Sequence, residues 1–231
     1  MSAAQRLQEI RNEVSTCQRC PLAKGRLNAV PGEGPAQVEI MFIGEAPGFH
    51  ENKQGKPFVG QAGQFLDELL KAAGLDRSQV YITNVVKCRP PNNRDPLPEE
   101  LAACQTFLDE QISLLQPTVI VTLGRISMVK FVDAGRISAI HGKTHKVNGQ
   151  KVVTMYHPAA ALHQPALRQT LLEDFARLKK FIGIKAVGAP ESSLPEPGQE
   201  PEPKPSPSVE PLTPIHAEPE DSTPSEQLSL F

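Results

Sequence analysis

Four short apolar runs, each closing on a glycine or a polar residue and each followed by a helix-forming stretch, constrain this chain most. They are Val38 to Ile43 before Gly44, Val80 to Thr83 before Asn84, Thr118 to Leu123 before Gly124, and Lys151 to Met155 shortly before His157. Between them the apolar spacing turns helical. Gln61 to Ala73 carries Phe65, Leu66, Leu69 and Leu70 on one face and stops at Gly74. Pro98 to Leu115 starts with a proline, as a helix tolerates only there. A helix from about Ile126 to Val132 and a last one from Ala166 to Phe181 complete the alternation, and Ala3 to Val14 precedes it with Leu7, Ile10 and Val14 at helical spacing. Strands alternating with helices predict an α/β domain with parallel strands and right-handed crossovers. In such sheets ligands sit at the carboxyl ends of the strands. That rule selects Glu45, Asn84, Gly124 and His157 as the residues facing a site.

The domain is expected over residues 1–185. Of the 23 prolines, 11 fall in residues 186–231, together with nine acidic residues and a single Lys204. Such a segment cannot bury enough apolar surface to fold, so 186–226 is expected to be a disordered, extended linker. The formal charge of −2 therefore divides into about +6 on the body and −8 on the tail. A basic body implies an anionic partner. No apolar run is long enough to span a bilayer. Ser2 to Val14 lacks the apolar core of a secretion signal, so a reducing, cytoplasmic setting is expected. There, four cysteines read as metal or cluster ligands before disulfides.

Cys17 and Cys20 form a C-x2-C pair; Cys88 and Cys104 follow singly. Four thiolates suit Zn²⁺ or a [4Fe–4S] cluster. The missing second tight pair favours the cluster loosely, and the spacing leaves both open, with buried free thiols or a C-x2-C redox pair as the plain alternatives. Gly44-Glu45-Ala46-Pro47-Gly48 is a tight turn whose backbone could approach a ligand, or an ordinary strand-to-helix turn. Pro31 to Pro35 reads as a loop. Phe58, among polar loop residues, is either a core plug or a stacking platform. Asn84 can offer a donor and an acceptor to one base edge, and His157 could donate to developing negative charge. His141 and His145 read as surface-loop histidines. Arg89, Arg94, Arg136, Lys143 and Lys146 read singly as solvated charges and jointly as a phosphate-tracking rim.

In order along the chain, Cys17-x2-Cys20, Gly44 to Gly48, Lys56-Pro57-Phe58-Val59-Gly60-Gln61-Ala62-Gly63, Thr83 to Pro91, Asn93-Arg94, Cys104 and His157-Pro158 resemble the family 4, iron–sulfur uracil-DNA glycosylases over residues 17 to about 181. The resemblance implies a three-layer α/β/α fold around a central four-stranded parallel sheet. It implies a [4Fe–4S] cluster on Cys17, Cys20, Cys88 and Cys104, and a monomeric hydrolase that releases uracil from DNA by flipping the base. Phe58 matches the aromatic stacked on uracil, and Asn84 the amide reading its edge. His157 matches the donor to O2, and Glu45 the carboxylate near sugar and water. Gly44 and Ala46 complete the uracil-binding turn. Where family 1 carries an Asp that orients water, this chain has Ala46, so catalysis must lean on leaving-group stabilisation. The family 1 wedge position is Ala161, and the neighbouring Leu162 is the better filler of the gap left by the flipped base. Arg89, Arg94 and Lys143 are expected at the DNA. Uracil-linking relatives carry a basic insertion with a His where this chain has Cys88-Arg89-Pro90-Pro91, so turnover is expected.

The last five residues, Gln227, Leu228, Ser229, Leu230 and Phe231, resemble the pentapeptide by which bacterial repair proteins dock on the β sliding clamp, with the linker as tether. Two other functions fit less of the pattern: a same-fold glycosylase for another deaminated base, and a non-catalytic iron–sulfur module that binds DNA and recruits the clamp.

Overall fold

The computed structural model describes residues 1–133 and 135–182; the expected linker and clamp-binding pentapeptide lie outside them. In chain order the elements are α1 (Ala3–Thr16), β1 (Ile40–Gly44), α2 (Phe49–Gln54), α3 (Gln61–Ala72), β2 (Tyr81–Asn84), α4 (Pro98–Leu115), β3 (Val119–Leu123), α5 (Arg125–Val129), α6 (Ile137–Ile140), β4 (Lys143–Val147), β5 (Gln150–Met155), α7 (Pro158–His163) and α8 (Ala166–Ile182). No helix among the described residues is long and apolar enough to cross a membrane.

The sheet runs β2-β1-β3-β5-β4. Its first four strands are parallel, as expected, but it is mixed and five-stranded. Antiparallel β4 pairs with β5, Lys143 opposite Thr154 and Val147 opposite Gln150. At the other edge, Glu33 makes a one-residue antiparallel bridge to Ile82, exchanging backbone bonds of 2.9 and 2.8 Å. The loop from Pro31 to Pro35 thus lies along β2. Gly34 takes φ +143° there, and a Cβ on it would meet the Val80 carbonyl at 2.4 Å.

Alternation along the strands sends side chains to two faces. Ile40 and Phe42 of β1 pack with Leu66, Leu69 and Leu70 of α3 and with Leu171, Phe175 and Leu178 of α8. Met41 and Ile43 face the other way, onto Leu108 and Leu115 of α4. Helices therefore cover both faces of the sheet, in the three-layer order expected. Phe42 and Phe175 stack with centroids 5.9 Å apart; burying each such ring contributes roughly 1.5–3 kcal/mol.

The helix ends follow from sequence. Ser2 and Gln5 form a reciprocal capping box on α1. The Glu100 carboxylate accepts from Leu97 N–H at 2.8 Å, at the start of α4. Arg6 grips Glu110 of α4 through Nε and Nη2, at 2.6 and 3.0 Å. That clasp brings the end of α1, with Cys17 and Cys20, beside α4. Ile10, Val14, Leu22, Val86 and Phe107 make a separate apolar cluster around Cys88 there.

Candidate active site

The parallel register puts Gly44 opposite Asn84 at the carboxyl ends of β1 and β2. His157 follows β5 on the same end. Glu45, Phe58, Asn84 and His157 all line one pocket of about 370 Å³. Gly44 lies under it: a Cβ there would stand 2.4 Å from Asn84 Oδ1 and 2.7 Å from Phe58 Cζ. Glycine is required because two side chains close over it.

Asn84 is 1 % exposed, and its Oδ1 is buried with no hydrogen-bond partner. An orphaned buried acceptor costs about 1–3 kcal/mol, so this amide is set for a ligand. Its backbone carbonyl is held by Lys87 Nζ at 2.9 Å. Lys87 is itself 1 % exposed, and its ammonium also donates to Thr83 Oγ1 at 2.6 Å and Gln111 Oε1 at 2.7 Å. Burial pulls its pKa down to about 7.

Phe58 is buried, joins the core cluster of α3 and α8, and also faces the pocket, so the plug and the platform are one residue. Its backbone takes φ +51°, a left-handed conformation rare for an aromatic. Three neighbours enforce it. The Arg77 guanidinium donates to the carbonyls of Pro57 and Phe58, the latter at 3.2 Å. The Glu51 carboxylate accepts from Val59, Gly60 and Gly48 N–H at 2.8, 3.0 and 3.1 Å, tying the Phe58 loop to the turn after β1. Gly63 of α3 lets the Phe58 carbonyl approach where a Cβ would stand only 2.0 Å away.

His157 caps α7, accepting Ala159 N–H on Nδ1 at 3.1 Å. A backbone N–H can only donate, so Nδ1 carries no proton and the neutral ring keeps its hydrogen on Nε2. Burial holds the imidazole down to about 4, so this tautomer persists at neutral pH. The ring stacks on Phe58 with centroids 5.5 Å apart. Gly124, at φ +93°, gives it room; a Cβ there would sit 3.0 Å from His157 Cβ. Glu45 is half-buried. Desolvation, then Asp95, push its carboxyl pKa upward against the opposing pull of Arg125.

The four cysteines are all free thiols. Together they line a second, small pocket, with Val14 and Phe107 beside them. Among the described residues no three His, Cys, Asp or Glu side chains gather to hold a single ion; the cysteines stand around a shared space instead. Arg26 Nη1 reaches Cys88 Sγ at 3.5 Å and the Lys87 N–H reaches Cys104 Sγ at 3.3 Å, donors that would support bound thiolates. Burial raises the Cys88 thiol and pushes Cys104 up to about 11. Binding a metal would release their protons. The donor set fits a cluster held by Cys17, Cys20, Cys88 and Cys104.

Residues 31–179 match the family model of the uracil DNA glycosylase superfamily. The type-4 uracil-DNA glycosylase of Sulfurisphaera tokodaii is 48% identical over 186 residues, covering 76% of this chain and 84% of that protein. The type-4 enzyme of Thermotoga maritima is 46% identical over 188 residues, covering 79% and 98%. This chain belongs to the type-4 uracil-DNA glycosylases. A type-5 enzyme of Thermus thermophilus lies further off, at 33% identity over 178 residues.

The residues expected at DNA in this type-4 glycosylase fare unevenly. Arg94 lines the pocket but is engaged by the buried Glu100 carboxylate at 2.7 and 2.9 Å, so it is no free phosphate ligand. Arg89 Nε donates to Asn93 Oδ1 at 2.7 Å. Lys143 does not line the pocket; it sits on β4 opposite Thr154, at the site end of the sheet, and donates to the Ala139 carbonyl at 2.8 Å. Leu162 on α7 is 43% exposed while Ala161 is buried, which favours Leu162 as the free apolar side chain. His141 and His145 are not a surface-loop pair. His141 Nδ1 meets the buried Asp174 at 2.6 Å, and His145 belongs to β4. Glu51, Gly63, Arg77 and Lys87 escape sequence reasoning. Only Gly63, a glycine in a helix's first turn, carried a visible signal.

Proposed function

We propose that this protein excises uracil from DNA by hydrolysing the N-glycosidic bond, leaving an abasic site. The orphaned Asn84 Oδ1 beneath a stacked Phe58 carries the reading. A base flipped into the pocket lies on Phe58. Uracil presents N3–H to Asn84 Oδ1 and O4 to its amide N–H; cytosine presents the reverse and leaves polar groups unpaired. His157 Nε2–H donates to O2 as the glycosidic bond breaks and the electron pair leaves with the base. Such a donor is worth about 10²–10³ in rate. Water then adds at C1′ and loses a proton, for which Glu45, half-buried in the pocket lining, is assigned as the carboxylate. Gly44 and Ala46 let the backbone approach the base.

The cysteines are assigned a [4Fe–4S] cluster, which when bound cross-links the end of α1, the loop after β2 and α4. Arg89, Lys143 and Leu162 are assigned to the DNA, with Arg94 shaping the pocket. The tail resemblance supports docking of Gln227 to Phe231 on a sliding clamp, and the enzyme is taken to act as a cytoplasmic monomer.

The test is base release from matched oligonucleotides holding one uracil, cytosine or hypoxanthine, read by alkaline cleavage. Release specific to uracil, lowered in Asn84→Ala and His157→Ala, is expected. No release from protein with intact cluster absorbance would refute the assignment.

A further inference from the structure

Phe49 opens α2 immediately after Gly48 and is 47% exposed, one of few large apolar side chains left in solvent among the described residues. It is not bare. Lys53 Nζ lies 4.6 Å from its ring centroid and Arg89 Cζ 5.4 Å from it, while His50 meets it edge-on. The two cations come from different elements, Lys53 from helix α2 and Arg89 from the segment after β2. Neither has an acidic partner within ion-pair distance among the described residues. Arg89 spends only Nε on Asn93, so both Nη groups remain open. Two like charges converging on one exposed ring repel each other; the ring's negative face offsets part of that repulsion. Their place matters as well. Pro47 and Gly48 on one side, and Pro90 and Asn93 on the other, line the active-site pocket. The ring and its cations thus bridge two segments that both contribute to the pocket lining.

We infer that Phe49, Lys53 and Arg89 form a phosphate clamp at the pocket mouth, in which the ring gathers the two cations onto one backbone phosphate of the strand beside the flipped nucleotide. The inference rests on DNA being the substrate and adds a specific contact to it. Phe49 acts here as a positioning residue, because the charges, not the ring, touch the phosphate. An anion between the cations replaces their mutual repulsion with attraction, and the exposed position keeps the site open to a strand.

Salt dependence of binding separates this role from simple base stacking. Each phosphate contact on single-stranded DNA adds roughly 0.7 to the slope of log affinity against log salt, or about fivefold in affinity per decade of salt. The probe is a short fluorescent single strand holding one tetrahydrofuran abasic analogue, bound to cluster-loaded full-length protein over a salt series. K53A and R89A should each lower the slope, and the double variant should lower it by roughly 0.7, the share of the single phosphate that they hold together. F49A and F49L remove no charge, yet should lower it as well, and F49W should restore it. R89A is accepted only if its visible cluster absorbance equals that of wild type, and K53A, further from Cys88, repeats the test without that concern. An F49A variant that binds more weakly with an unchanged slope would make Phe49 a stacking surface and overturn the clamp. So would unchanged binding in K53A and F49A. Uracil release by wild type is measured alongside. Release without the slope changes sinks the clamp alone; slope changes without release sink the glycosylase reading alone.

Discussion

Replacing Gly63 by alanine sets two opposed effects on one residue. Gly63 lies in the first turn of α3, where alanine would favour the helix by up to about 1 kcal/mol. The added Cβ, however, would stand 2.0 Å from the Phe58 carbonyl oxygen and 2.2 Å from its carbon. Cβ contacts stay beyond 3.0 Å, so the loop has to retreat by about 1 Å. The retreat cannot be absorbed by a side-chain rotation, because the obstructing atoms are backbone. The same carbonyl is held by Arg77, and the next two amides by Glu51. Phe58 therefore moves with its loop, and its ring leaves the plane on which the base is to stack. A 1 Å misplacement can cost about 10² in rate. Single-turnover uracil release by G63A is thus expected to fall about 100-fold, with a melting temperature within a few degrees of wild type because helix gain and loop strain oppose each other. Gly25→Ala, which meets nothing within 4 Å, serves as the neutral control. G63A releasing uracil within threefold of wild type would refute the claim that α3 positions Phe58.

Three further outcomes follow from the geometry. His157 has a folded pKa of about 4, below its usual 6.5, so the unfolded chain binds the extra proton first. The stability of its neutral form is complete above pH 6.5 and declines as pH falls toward 4; thermal melts should show wild type losing more than His157→Asn across that window, and parallel curves would discount the buried imidazole. Lys87→Met leaves the Asn84 carbonyl, Thr83 Oγ1 and Gln111 Oε1 without their shared donor. At about 1–3 kcal/mol per orphaned group, denaturant unfolding should show a loss of several kcal/mol, and a loss below 1 kcal/mol would mean water replaces the ammonium. Cys104→Ala should abolish the visible iron–sulfur absorbance and lower the melting temperature, whereas full absorbance would remove Cys104 from the ligand set.

The parallel strands were legible because each carries a short, largely apolar run without alternation, as strands covered on both faces do. The rule that places ligands at strand ends then found Glu45, Asn84 and His157 with no motif. What stayed hidden has physical reasons. Lys143 to Val147 reads as a charged loop, since a strand with both faces near solvent has no apolar face to betray it. Lys87 carries no signal of burial in the sequence; it is buried because Thr83 Oγ1, the Asn84 carbonyl and Gln111 Oε1 converge on its ammonium. Arg94 looked like a free cation until Glu100, six residues on, appeared beneath it. The left-handed backbone of Phe58 is imposed by Glu51, Gly63 and Arg77, so no local propensity could announce it.

The two borders of the sheet bear on how the protein behaves at high concentration. An unpaired strand margin is a template on which another chain can add, and the inner strands here, rich in valine and isoleucine, would make a sticky one. One margin is closed by β4, whose Lys143 and Lys146 are exposed and whose own outer side is charged and short. The other is closed by the Pro31 to Pro35 loop, which pairs with β2 through Glu33 alone. The flanking prolines have no N–H to offer, so that pairing cannot propagate. A strand-by-strand growth of aggregates is blocked at both ends by different means, one electrostatic and one covalent in origin. Substitutions that replace Lys146 or the flanking prolines should therefore show first as lost solubility, with the chemistry of the pocket untouched.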